Sequence, residues 1–247
     1  MSEDDNPTAA MLAIGDELLS GRTKDRNIGH LAEAMTLIGI GLKEVRIVAD
    51  DEAAIVEAVN ALRERYTYVF TSGGIGGTHD DITADSVSAA FGLPCIYNDE
   101  AMSRLAAHYE RRGIDFNASR QRMARMPEGA RLIDNPVSTA PGFVIGNVHV
   151  MAGVPSIFEA MLDNVMPTLK GGAPLVTKTV ECPFGEGDIA ARLGEIQKSH
   201  PKTSIGSYPR FSSEGFRTQL VVRARAEADA EAAAADIRAM LEAMTAG

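Results

Sequence analysis

Residues 71–83 read TSGGIGGTHDDIT: glycines at 73, 74, 76 and 77 run straight into Thr78, His79, Asp80 and Asp81. Glycines leave backbone N–H groups unobstructed, and a helix starting just beyond them adds the positive end of its dipole. Such a loop suits an anion, above all a phosphate. The spacing is neither a Walker loop, which ends in Lys-Ser/Thr, nor the G-x-G-x-x-G dinucleotide fingerprint. Carboxylates at 80 and 81 repel a phosphate unless a cation lies between them, and Mg²⁺ in nucleotide sites is held by one or two carboxylates plus phosphate oxygens. A divalent cation is therefore expected, Mg²⁺ first, with Mn²⁺ or Co²⁺ as alternatives. The competing role for these residues is capping: Asp81 as an Asx cap, Thr83 in the first turn, and Asp80 and Asp85 favoured by the helix dipole.

Other candidates are weaker alone. GDELLSG (15–21) supplies Asp16 and Glu17, DRN (25–27) supplies Asn27, and Asp50, Asp51 and Glu52 stand at another helix start. Each is equally explained as a turn or a cap. His79 and His149 have no HxxxH or HxE partner, Cys95 and Cys182 have no motif around them, and no Ser/His/Asp set is legible. Chemistry here would rest on charge and positioning rather than on a covalent nucleophile.

The elements that must position these groups alternate. TAAMLAIG (8–15) has the profile of a buried strand, and Ile28, Leu31, Met35 and Ile38 predict a helix stopped by Gly39. LKEVRIV (42–48) predicts a strand, residues 50–65 a helix through Ile55, Val59 and Leu62, and YTYVFT (66–71) a strand leading into the glycine loop. The alternation implies βαβ units, a mainly parallel sheet and helices on both faces, with a ligand crevice at the carboxyl ends of the strands. GFVIGNVHVMAG (142–153) predicts a hairpin turning at Gly146-Asn147, followed by a helix opened by Pro155. KGGAP (170–174) reads as a linker between an α/β domain over 8–170 and a small α+β domain over 175–245. Within the latter, the Ala/Glu-rich tract 226–236 reads as an exposed helix.

The 247 residues carry a formal charge of −10 with no run of Lys or Arg, which excludes a nucleic-acid binder that must displace counterions. The acidic N-terminus is no signal peptide, and no apolar run approaches a membrane span. A cytoplasmic protein with two reduced thiols is expected. Its expected partners are a small nucleotide or pterin and further copies of the chain.

Taken together, IGDELLSGRTKDRN, SGGIGGTHDDIT, MPEGARLIDNPVSTAPGF and MAGVPSIFEAM resemble the molybdopterin-binding domain of CinA (competence/damage-inducible) proteins. The same domain type occurs in MoaB/MogA proteins and in FAD synthases. Residues 175–245 resemble the small domain that follows in CinA proteins; the nicotinamide-nucleotide amidase domain many of them carry is not seen. The resemblance implies a three-layer α/β/α fold with a pocket for a pterin or adenine nucleotide. It implies Asp81 and Asp51 as the principal acids, with Asp16 beside them, and Gly73, Gly74, Gly76 and Gly77 as the cradle. Thr78, Asp80, Thr83, Glu17, Asn27, Ser138, Thr139, Pro155 and Ser156 fall on pocket-forming motifs. Gly77 and Ala152 stand where the family usually has Pro, which is expected to loosen both loops. Three functions follow: metal-assisted hydrolysis of a nucleotide diphosphate such as ADP-ribose or FAD, binding or adenylylation of molybdopterin, or a non-catalytic binding and oligomerisation module.

Overall fold

After Thr8 the segment AAMLAI has no polar position, so as a strand it needs cover on both faces. In the computed structural model, which describes residues 6–212 and 215–245, this is β1 (Thr8–Ile14). The chain divides between Gly172 and Ala173 into two compact units. In the first, β1 is followed by α1 (Asp16–Leu19), α2 (Asn27–Leu37), β2 (Gly41–Val48), α3 (Glu52–Arg65) and β3 (Tyr68–Ser72). Then come α4 (Thr83–Phe91), β4 (Cys95–Tyr97), α5 (Asp99–Arg111), α6 (Ala118–Gln121), β5 (Arg125–Pro127) and β6 (Arg131–Ile133). The unit ends with β7 (Gly142–Ile145), β8 (Val148–Met151) and α7 (Pro155–Val165).

Six strands form one sheet in the order β2-β1-β3-β8-β7-β6. β1 runs parallel to β2 and β3, and β3 parallel to β8; β7 and β6 add antiparallel pairs at the far edge. The β7–β8 hairpin turns at Gly146-Asn147, with Ile145 facing Val148. β1 supplies both cores. Ala10, Leu12 and Ile14 pack with Ile55, Val59 and Leu62 of α3 and Val87 of α4. Ala9 and Met11, one residue out of phase, pack with Leu31 and Met35 of α2 and Phe158 and Leu162 of α7. The period-2 alternation of a strand thus turns a continuous apolar run into two helix-covered faces, the middle layer of an α/β/α sandwich.

The second unit contains β9 (Val176–Cys182), α8 (Glu186–Ser199), β10 (Thr203–Ser212), β11 (Gly215–Ala224) and α9 (Glu227–Thr245). Its strands form an antiparallel sheet in the order β10-β11-β9. The Ala-rich tract is a helix, as expected, and exposed on one face only. Ala230, Ala233 and Ala234 are fully buried beside Leu220 and Val222, because small side chains let α9 lie close against the sheet.

His149 on β8 is 5% exposed, with the Phe70 ring stacked on it at 5.1 Å and the Tyr68 ring edge-on at 6.0 Å. Its Nδ1 has no hydrogen-bond partner. Burial pushes its pKa down to about 4, and the Arg131 charge adds to this. The folded value lies below the unfolded one near 6.5, so protonation favours the unfolded chain and stability falls as pH drops from about 6.5 towards 4. The full effect is on the order of 3 kcal/mol. Denaturant unfolding of wild type and His149→Phe at pH 7 and pH 4 checks this: the variant should lose less stability by roughly that amount. Equal losses would remove His149 as the cause.

Candidate functional site

The glycine loop leaves the sheet at the end of β3. Gly73 has φ 111°, and a Cβ there would strike the main-chain oxygen of Ile14, so the loop passes directly over the end of β1. The Gly73 N–H donates to Met151 O at 3.2 Å, tying the loop to β8 as well. Thr83, fully buried, clips the other end: its hydroxyl donates to Gly73 O and its N–H to Gly74 O, both at 3.0 Å. Asp81 does not cap α4. The cap position is Ile82, without a side-chain bond, and Asp81 Oδ2 instead accepts from Thr78 N (2.7 Å) and Thr78 Oγ1 (2.5 Å). The carboxylate thereby closes the loop on itself. Gly77 does not loosen it either: Ser119 Oγ donates to Gly77 O at 2.6 Å, and a Cβ at 77 would lie 2.5 Å from Ser119 O. The absent side chain lets α6 dock on the loop.

The acids sort themselves by partner. Asp51 is exposed and caps α3, accepting from Ala54 N at 2.8 Å. It is Asp50, its neighbour, that accepts the Asp16 N–H at 3.0 Å. Burial raises the Asp50 pKa; the Asp16 amide opposes this, and the charges of Asp16, Glu17 and Asp80 raise it further. Asp50, just past the end of β2, thus feels the charges of Asp16 and Glu17 after β1 and of Asp80 in the glycine loop. Asp85 is neutralised elsewhere, through paired hydrogen bonds to Arg125 Nη1 (2.9 Å) and Nη2. Among the described residues no three His, Cys, Asp or Glu side chains converge as a metal cage.

A cavity of about 470 Å³ opens at the carboxyl ends of β1, β3 and β8. Of the candidate residues it gathers Glu17, Gly73, Gly74, Gly76, Asp81, Ser138 and Pro155. Asp16, Asp51, Gly77, Thr78, Asp80, Thr83 and Ser156 stand outside the lining, with Thr78 and Thr83 shaping the loop from behind. Asn27 is buried behind the wall, donating from Nδ2 to Ser72 Oγ (2.7 Å) and Gly153 O (2.9 Å). It thus joins the end of β3 to the loop after β8.

Asn135 is a lining residue that the motif reading passes over. Its Oδ1 accepts from the N–H groups of Val137 and Ser138, and its Nδ2 donates to Ser138 Oγ and Ala140 O. These four bonds fold 135–140 into the turn that presents Ser138; the Asn-Pro pair at 135–136 is the sequence signal that marks it. Thr139, in the same turn, faces away from this cavity and into a neighbouring one of about 610 Å³, with Oγ1 2.8 Å from His108 Nδ1. Its φ of 70° is an unusual conformation for a β-branched residue, held by the bonds around it.

Two further features set the electrostatics. The cap position of α7 is Val154, without a side-chain bond, and the first turn holds no acid. Gly153, Val154 and Pro155 line the cavity, so an uncapped helix N-terminus opens onto it. Arg122, just after α6, donates from Nη2 to Asp81 O at 3.2 Å, while its Nε–H is buried without an acceptor. A buried donor left unpaired costs about 1–3 kcal/mol.

Comparison with known proteins agrees with this geometry. Residues 10–171 match the family model described as a probable molybdopterin binding domain, and residues 174–246 match the FAD synthase middle domain. A protein of Aeropyrum pernix is 33% identical over 244 residues, covering 94% of this chain and 91% of its own length. A CinA-like protein of Syntrophus aciditrophicus is 34% identical over 233 residues, covering 90% of this chain; the chain spans 55% of that longer protein. The crystal structure of CinA from Thermoplasma acidophilum, described as of unknown function, is 30% identical with a TM-score of 0.61, covering 66% of this chain and 98% of that one. With four motifs, a mainly parallel sheet and a strand-end cavity in agreement, the chain belongs to the molybdopterin-binding domain family, here followed by a unit of the FAD synthase middle-domain type.

Proposed function

We propose that this protein binds a phosphate-bearing pterin or adenine nucleotide in the strand-end cavity and cleaves the diphosphate of a ligand such as ADP-ribose or FAD. One observation carries the binding reading: the uncapped N-terminus of α7 and the glycine loop open onto the same cavity. Backbone N–H groups and a helix dipole there favour an anion on a protein whose net charge is −10. The volume of about 470 Å³ suits a heterocycle with its phosphates.

The acids support the cleavage reading. Asp50 is held against Asp16, Glu17 and Asp80 with its charged form disfavoured, an arrangement that a cation would relieve. Because no protein-only cage is present among the described residues, the donors fit a divalent ion carried in by the ligand's phosphates. Asp81, the aspartate that lines the cavity, would hold it together with the ligand's phosphates; Mg²⁺ is the first choice, Mn²⁺ or Co²⁺ the alternatives. When bound, such an ion neutralises phosphate charge and acidifies a water. The chain's own contribution is to fix the phosphates with the loop amides and to keep Asp81 facing them. The family match over residues 10–171 favours a second reading, in which the ligand is molybdopterin and the protein binds or adenylylates it.

Thermal unfolding with ADP-ribose, FAD, ATP and molybdopterin, each with and without Mg²⁺, should show a stabilised protein for at least one ligand; saturation at about 100 times Kd corresponds to about 2.7 kcal/mol. No shift with any of them would end the binding reading. For cleavage, Asp81→Asn should retain the Thr78 bonds through its amide oxygen yet lower AMP release from ADP-ribose or FAD by on the order of a hundredfold or more. Turnover equal to wild type, or no metal-dependent turnover in wild type, moves the choice to the molybdopterin reading.

Asp50→Asn gives an independent check of the acid crowd. The folded pKa of Asp50 is raised, so its charge destabilises the fold above that value and the penalty vanishes below the unfolded value near 3.9. The variant should melt higher than wild type at pH 7, and the gain should shrink as pH falls to 3. A variant that is no more stable at neutral pH would show that the partly buried Asp50 charge carries no penalty in the fold.

A further inference from the structure

Asp80 and Asp81 beside an anion-binding loop leave a shortage of positive charge. Two arginines from the segment after α6 reach the loop, and they differ in what they have left to offer. Arg125 is fully engaged with both oxygens of Asp85. Arg122 forms no ion pair among the described residues; its Nη2 donates to a main-chain oxygen, that of Asp81, and its Nε–H has no acceptor. A chamber of about 10 Å³ is lined by Gly74, Gly76, Asp81 and Arg122, together with the Asp85–Arg125 pair. That is room for about one oxygen atom. Gly74, Gly76 and Asp81 also line the main cavity, so the chamber and the cavity share a wall.

The geometry points to Arg122 as the residue that recognises the ligand's phosphate, its unpaired N–H groups donating to a phosphate oxygen held at the glycine loop. The inference rests on the proposed binding of a phosphate-bearing ligand and names the side chain that selects it. A guanidinium suits the task because its planar fork donates to two oxygens at once and keeps its charge at any working pH. The hydrogen bond to Asp81 O fixes the fork against the loop, so the cation is in place before the ligand arrives. The competing occupant of the chamber is a water under the loop, with Arg122 only bracing Asp81.

Calorimetric titration of the full chain with pyrophosphate, ADP-ribose and adenosine at several salt concentrations separates these cases. Arg122→Met should weaken pyrophosphate and ADP-ribose binding about tenfold or more and flatten the salt dependence, with adenosine unaffected. Arg122→Lys keeps the charge but not the fork, and should recover part of the loss. A purely structural brace would move all three ligands together. If Arg122→Met binds pyrophosphate and ADP-ribose within about twofold of wild type, the assignment is overturned. If that variant does not fold, Arg122→Lys with wild-type affinity overturns it instead. Wild type that binds pyrophosphate but no nucleotide or pterin would sink the proposed function and leave Arg122 to be judged on pyrophosphate alone. Wild type that binds neither anion nor nucleotide sinks both.

Discussion

The carbonyl of Ile14 occupies the space where residue 73 would carry a side chain, and most of the site follows from that contact. Because the chain can pass over β1 only as glycine, the loop stays low over the strand ends instead of rising into solvent. It is then within reach of Met151 O on one side and the Thr83 hydroxyl on the other. Three strands that are neighbours in the sheet thus contribute to one floor. The helices on either face are pinned by the same strand, since β1 gives alternate side chains to the two cores. Packing and site geometry are set together at this point.

Against that rigid floor the electrostatics are unbalanced. The charges of Asp16, Glu17 and Asp80 bear on the carboxylate of Asp50, while the donors at the site are backbone amides, a helix end and Arg122, which has no ion pair among the described residues. Neither the partly buried Asp50 carboxylate, with its charged form disfavoured, nor a guanidinium N–H without an acceptor adds to stability. Both features would be met by the ligand proposed above, an anion that brings a cation with it.

Much of the fold was legible because it rests on periodicity. The apolar run of β1, the one-sided pattern of α3 and the Gly146-Asn147 turn each reflect a local rule. The strand-end cavity followed from topology, and with it the glycine loop, Glu17, Asp81 and Pro155. What was not legible depends on orientation or distance. Asp50 and Asp51 are adjacent in sequence, and only the turn of the helix start decides which one caps α3 and which meets Asp16. Arg122 lies in SRQRMAR, a stretch that reads as an ordinary solvated surface, and reaches Asp81 from 41 residues away. Alanine carries little hydrophobic signal, so the buried face of α9 looked like an exposed one.

Thr139 remains, left-handed and β-branched in a turn with a cavity on either side. Its backbone conformation stores energy on the order of 1–3 kcal/mol, supplied by the four bonds of Asn135 and the contact with His108. A drift to glycine at this position would release that energy and make the domain easier to fold. It would also free the partition between the two chambers to take other shapes. Selection for robustness and selection for a fixed chamber therefore pull residue 139 in opposite directions, and what a glycine there would relax is the wall that presents Ser138.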